Sequence, residues 1–266
     1  MSLALLCLSL CLFDRTLPIA AHAQSSGSPI VWRTTPDGFA VASYDLPSSV
    51  SVVRSQVLLA KFSPARFRFV AVHAPDTGIA RDNVRTLASS INGIAAINAN
   101  FFDENGRALG VVLNGGVQKN PMHRGGKVLT GILYQRGDRL GIVHRTELPA
   151  DVGMALQAGP RLVVDGKAVN VDSPHVSSRR SGVALTKSNE VILFATTLRF
   201  PGASFAEIQS LLLRPELEVV NALNFDGGGS SQMFLRSGDK DGSDLLVSGG
   251  DIVPVALVVV SKGVKK

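Results

Sequence analysis

Short apolar runs of strand length recur along this chain and leave room for only two or three helices. No other feature constrains the fold as much. Residues 56–62 and 66–73 flank Ser63-Pro64-Ala65, and the second run alternates before becoming continuously apolar. Residues 94–100 read as a buried strand. Residues 131–135 and 139–144 flank the turn Arg136-Gly137-Asp138, and 183–186 and 191–196 flank Lys187-Ser188-Asn189, which makes two hairpins. Residues 219–225 and 253–260 are late buried strands. Helical spacing appears over 81–91, where Val84, Leu87, Ala88 and Ile91 share a face and Asn92-Gly93 ends the pattern. Ser204 with Glu207 forms a capping box that opens a helix to about Leu213, stopped by Pro215. About ten strands without regular strand-helix alternation predict an α+β fold. The expectation is a single domain over 55–262, a mostly antiparallel or mixed twisted sheet with two or three helices.

Residues 1–13 are almost wholly apolar, and Ala21-His22-Ala23 follows before a polar stretch. This is the pattern of a cleavable export signal over 1–23, so the expected location is periplasmic or secreted. Both cysteines, Cys7 and Cys11, fall inside that segment, which leaves no thiol for a nucleophile or a zinc site. No other run is long enough to cross a bilayer, so no stable membrane insertion is expected after cleavage. Residues 24–54 read as a loose leader, rich in Ser, Pro and Gly at its start. The net charge of +6 comes from scattered Lys and Arg rather than a basic arm, and nucleic acid is not expected as a partner.

Four clusters can carry chemistry. The strongest is Asn224-Phe225-Asp226-Gly227-Gly228-Gly229-Ser230-Ser231. An apolar strand delivers Asp226 at its end, and three glycines clear the following backbone of side chains. Successive amides at Gly227, Gly228 and Gly229 can form an anion-binding concavity, with the Ser230 and Ser231 hydroxyls at its rim; a flexible turn is the alternative. The second cluster is Asn98-Ala99-Asn100-Phe101-Phe102-Asp103, whose amides can orient sugar hydroxyls or simply bond backbone. The third, Gln157-Ala158-Gly159-Pro160-Arg161, places Arg161 at a strand start, where it can bind phosphate. In the fourth, Arg179 and Arg180 point to opposite sides of a strand, and Arg180 is expected to face the site. Among the histidines, His123 in a polar glycine-containing loop is the best acid/base candidate. No HExxH and no G-x-S-x-G is present, and Asp239 to Asp244 lacks a full calcium ligand set. No metal or cofactor is expected.

Taken in order, these motifs resemble the phosphodiester glycosidase family. The corresponding segments are 98–102, 159–166, 180–184 and 224–231, and the resemblance covers about residues 55–262. The chain departs from the family pattern where Asn98-Ala99-Asn100 replaces Asn-Gly-Gly and where Ala184 stands in place of glycine. The resemblance implies hydrolysis of a sugar-1-phosphodiester with the sugar C1–O bond broken, in a bacterial surface or exopolysaccharide glycan. It implies that Asp226 is the reacting carboxylate, as nucleophile or as base for water, with Asp103 as the reserve acid. Arg161 and Arg180 would neutralise the phosphate, while Asn98, Asn100 and Ser231 would position the sugar. Asp226, Arg180, Arg161 and Asn98 are therefore expected to line one cleft. A non-catalytic binder of anionic polysaccharide and a metal-assisted phosphodiesterase are the competing readings.

Overall fold

Strands buried on both faces need cover on both sides, and the fold supplies it with three sheets around a shared core. The computed structural model describes residues 28–47, 55–197, 202–238 and 242–263. The signal expected over 1–23 lies outside them.

The largest sheet has eight strands. In sheet order they are β1 (Arg33–Thr34), β2 (Ala40–Asp45), β3 (Gln56–Phe62), β14 (Val191–Thr196), β13 (Ser181–Thr186), β15 (Val219–Asn224), β11 (Arg161–Val164) and β12 (Lys167–Ala168). A second sheet of five strands runs β7 (Val117–Asn120), β6 (Val112–Asn114), β10 (Met154–Ala158), β8 (Gly131–Arg136), β9 (Arg139–His144). The third, also of five, runs β17 (Leu245–Val247), β16 (Met233–Leu235), β5 (Ala95–Asn98), β18 (Val255–Ser261), β4 (Phe67–His73). Neighbouring strands are antiparallel throughout, as at β13 and β15, where Gly182 faces Asn224 and Val183 faces Leu223.

Side-chain alternation distributes the apolar residues between layers. In β14, Val191, Leu193 and Ala195 enter the central core, and Ile192 and Phe194 enter the layer behind it. In β18, Val255, Leu257 and Val259 face the centre, while Ala256 and Val258 face outward. Two α-helices among the described residues cover those outer faces. Helix α2 (Phe205–Leu212) lays Ile208, Leu211 and Leu212 behind the eight-stranded sheet. Its Ser204–Glu207 capping box forms as expected. Helix α1 (Val84–Ser89) lays Val84, Leu87 and Ala88 on the third sheet. It starts later than its spacing suggests, because Asn83 caps it through the Thr86 amide.

Two expectations need correction. Residues 24–54 are not all a loose leader, because β1 and β2 belong to the eight-stranded sheet and β2 pairs with β3 over its whole length. Phe39, Val41, Tyr44 and Leu46 are buried there, and Phe39 stacks on Phe62 with ring centroids 4.8 Å apart. The strands also number eighteen among the described residues, not about ten. The additional ones are mostly two to four residues long, too short for a periodicity to show.

Candidate active site

The ends of strands from all three sheets meet at one point in the fold. Asp226 follows the C-terminal end of β15, between β13 and β11. Its backbone is locked on both sides: its amide donates to the Ala99 carbonyl (3.0 Å), just beyond β5. Its carbonyl accepts from Asn98 Nδ2 (2.8 Å) and Ser181 Oγ (3.1 Å). Beside it, Asn224 Nδ2 donates to the carbonyls of Gly159 (3.0 Å) and Phe225 (2.6 Å). With this backbone fixed, the Asp226 side chain lines a cleft of about 550 Å³. That volume lies within the range of small-molecule sites, roughly 300–1,000 Å³.

The cleft brings together Asp226, Arg180 and Arg161, with Gly227 and Gly228 in its lining. Arg180 is held by backbone carbonyls rather than carboxylates. Its Nε donates to Ala203 (3.1 Å) and its Nη2 to Val176 (2.8 Å). Its guanidinium lies 3.8 Å from the centroid of the Phe205 ring. Burial pushes its pKa down. Neither arginine has an ion-pair partner among the described residues, so both charges remain available to an anion. The neighbouring Arg179 turns the other way, and its buried Nη2 donates to the carbonyls of Ser231 (2.6 Å) and Ser248 (2.7 Å).

Asp226 itself is half-buried. Desolvation pushes its pKa up from the ordinary aspartate value of 3.8 to about 6. Hydrogen bonds from the Ser230 hydroxyl and the Gly227 amide partly oppose that rise, and the nearby Asp251 charge adds to it. Such a group changes charge close to neutral pH, where a base or nucleophile must be ready without being inert.

The glycine loop is tightly held. Gly228 donates its amide to the Arg179 carbonyl and Gly227 donates to the Asp226 carboxylate, while Ser230 donates to the Gly227 carbonyl and Ser231 to that of Gly228. Gly228 has φ of +60°, and a Cβ at Gly227 would stand 2.9 Å from the Arg179 carbonyl oxygen. A Cβ at Gly229 would overlap the Asp251 carboxylate. Close packing at Gly227 and Gly229 and a positive φ at Gly228 require glycine at these positions, and Gly227 and Gly228 also line the cleft.

Asn98, Asn100, Asp103 and Ser231 are corrected too. Asn98 is wholly buried: besides the Asp226 carbonyl it engages the Gln232 amide, which donates to its Oδ1 (3.1 Å). It ties together the two ends of the glycine loop and does not line the cleft. Asn100 is also buried, with Nδ2 close to the carbonyls of Leu109 and Val111, each at 3.2 Å. Asp103 accepts from the Arg107 amide (2.8 Å) in a surface turn outside the cleft. The Ser231 hydroxyl is buried, and Ser230 turns its own to Asp226. His123 binds Gly125 through Nδ1 and is absent from the lining.

Sequence reasoning missed Lys127, Asp172, Phe101 and Phe205, which all line the cleft. Only Lys127 had a local signal, because it follows the glycine pair beside His123. Asp172 lies on the segment after β12, which also contributes Val169, Asn170 and Val171 to the cleft. That wall is tied to α2: Gln209 Nε2 donates to the Val169 carbonyl (2.7 Å) and the Ala206 amide to Pro174 (3.0 Å). Among the described residues no three His, Cys, Asp or Glu side chains gather as metal ligands. No helix among them is long and apolar enough to cross a membrane.

Comparison with known proteins identifies the lineage. Residues 92–260 match the phosphodiester glycosidase family. Several solved structures resemble this fold, among them two that match over most of this chain. One is the catalytic domain of zebrafish N-acetylglucosamine-1-phosphodiester alpha-N-acetylglucosaminidase, auto-inhibited by its pro-peptide. It shares 16% identity at a TM-score of 0.63, over 89% of this chain and 85% of that one. The other is a hypothetical protein from Synechocystis, with 18% identity and a TM-score of 0.61, over 90% of this chain and 65% of that one. At such identities the likeness concerns the fold. No curated protein matches this chain. The family match spans more than half of the sequence, and the chain belongs to the phosphodiester glycosidase family.

Proposed function

We propose that, as a member of this family, the protein hydrolyses a sugar-1-phosphodiester at the bond between the anomeric carbon and the phosphate oxygen. One observation carries the reading: a half-buried carboxylate shares a cleft with two guanidiniums that have no carboxylate partner. Arg180 and Arg161 hold the phosphate, Arg180 in an orientation already set by two carbonyls and a ring. When the C1–O bond breaks, its electron pair stays on the phosphate monoester. The guanidiniums stabilise the developing charge, so the departing oxygen needs no proton from the protein. Asp226 is mostly ionised above pH 6. It either attacks C1 directly, forming a glycosyl ester that water then hydrolyses to free the carboxylate, or takes a proton from the water whose oxygen ends on C1. The anomeric configuration of the first-formed sugar distinguishes these courses. The products are a free sugar and a phosphate monoester.

The apolar residues 1–13 and Ala21-His22-Ala23 support export, which would bring the enzyme to glycosyl-phosphate linkages in a bacterial surface or exopolysaccharide glycan. The test incubates the protein with N-acetylglucosamine-1-phosphate diesters and with glycosyl-phosphate polymers, and follows products by mass. Free sugar from the wild type but not from folded Asp226→Asn supports the proposal. Release of sugar phosphate would mean P–O cleavage instead, and loss of that activity with a chelator would assign it to a metal-assisted phosphodiesterase. Binding of the polymers without turnover would make the protein a polysaccharide binder.

A further inference from the structure

One wall of the cleft is a loop that the sheets themselves barely hold. Residues 121–130 join β7 to β8, and residues 124–128 are exposed in succession. A glycine-rich excursion of this kind ordinarily moves. Here two side chains outside the loop fix it. Gln157, at the end of β10, is wholly buried. Its Oε1 accepts from the amides of Val111 (3.0 Å) and His123 (2.9 Å), and its Nε2 donates to the carbonyls of His123 (2.7 Å) and Leu129 (2.8 Å). From the other side, Arg145 Nη1 donates to the Gly125 and Leu129 carbonyls and Nη2 to Gly126 (2.9 Å). The loop also rests directly on Gly159, where a Cβ would overlap the Val128 carbonyl and stand 3.3 Å from the Thr130 amide. This fixed loop contributes Lys127, Val128 and Thr130 to the cleft lining, and Lys127 has no ion-pair or hydrogen-bond partner among the described residues.

We infer that Lys127 is the third anion-binding residue of the cleft, and that Arg145 and Gln157 are positioning residues that hold its loop in the binding geometry. The inference extends the phosphodiester reading, because it assigns the cation on the wall formed by residues 121–130. Arg145 would contribute nothing to anion affinity except through Lys127. The guanidinium spends its donors on three carbonyls, where a lysine ammonium could not gather the same fork.

The test is a double-mutant cycle with inorganic phosphate as the probe, titrated into the full chain near pH 7.5. Lys127→Ala is expected to weaken phosphate binding about threefold to fivefold, as loss of a partly exposed ion contact does. Arg145→Met should weaken it by a similar factor, and the double variant no further. Arg145 is partly exposed, so its replacement should leave the fold intact, whereas Gln157 is wholly buried; thermal unfolding checks this. Trypsin should cut after Lys127 about tenfold faster in Arg145→Met than in the wild type, as expected when the local opening cost falls. Wild-type protein that fails to bind phosphate, unchanged affinity in Lys127→Ala, or additive losses in the double variant would each overturn the inference. None of these readouts requires turnover. A coupled cycle in a protein that releases no sugar would keep the loop assignment and remove the glycosidase reading. Sugar release with an uncoupled cycle would do the reverse.

Discussion

Replacing Asp226 with Asn should stabilise the protein while abolishing its activity, and the stability gain should depend on pH. The folded carboxyl titrates near 6 instead of the ordinary 3.8, chiefly because burial disfavours its charged form. A raised pKa means that the folded state binds the proton more tightly than the unfolded chain does. Stability is therefore highest when both forms are protonated, below about pH 4. It falls as pH rises through the interval up to 6 and is level above it. At about 1.4 kcal/mol per pH unit, a rise from 3.8 to about 6 corresponds to about 3 kcal/mol of folding free energy lost at pH 8. Asn keeps the shape and stays neutral, so Asp226→Asn escapes that loss at pH 8 and gains almost nothing at pH 4. For a domain of this size the gain corresponds to roughly 6–12 °C in Tm. Thermal unfolding of both proteins across pH 4–8 measures it. A variant no more stable than wild type at pH 8, or a difference that does not shrink as pH falls, would refute burial as the origin of the shift.

Three further outcomes follow from the same geometry. The rate profile kcat/KM should fall on the acid side with a midpoint near pH 6, as Asp226 takes up its proton; a midpoint near 4 would indicate that another carboxylate reacts. Arg180→Lys should raise KM for the phosphodiester about tenfold or more, because an ammonium cannot bridge the Ala203 and Val176 carbonyls while stacking on Phe205; full activity in that variant would remove Arg180 from the site. Asn98→Ala leaves the Asp226 carbonyl with Ser181 alone and the buried Gln232 amide without its acceptor. It should cost about 2–4 kcal/mol in denaturant unfolding and lower kcat more than it raises KM; an unchanged kcat would show that Asp226 does not depend on this tie.

How much of this was legible before the structure depended on the range of the interaction concerned. Strands β3 and β14 and the α2 capping box were readable because their signals lie within a few residues. The alternation expected of a strand favours Arg180 over Arg179; both precede β13 rather than lie in it, and their side chains diverge. Asn98 and Asn100 could not be read in this way. An amide at a strand end suits a sugar hydroxyl and a backbone carbonyl equally. The choice depended on the Asp226 carbonyl, 128 residues away, and on Val111, 11 residues away. The same holds for β2, whose burial depends on pairing with β3 and on the ring of Phe62.

Local chemistry thus determined most of the strand-rich framework, the two helices and the identity of the carboxylate and arginines as candidates. Tertiary structure decided which of them face a common space. It turned the Gly228 amide to the Arg179 carbonyl and made Asn98 a tie between the ends of the glycine loop. It also brought in Lys127, Asp172 and Phe205, which sequence reasoning leaves out of the site. The physical reason is that a side chain's role depends on the partners around it. Those partners arrive only when strands distant in the chain are packed into three sheets with one core.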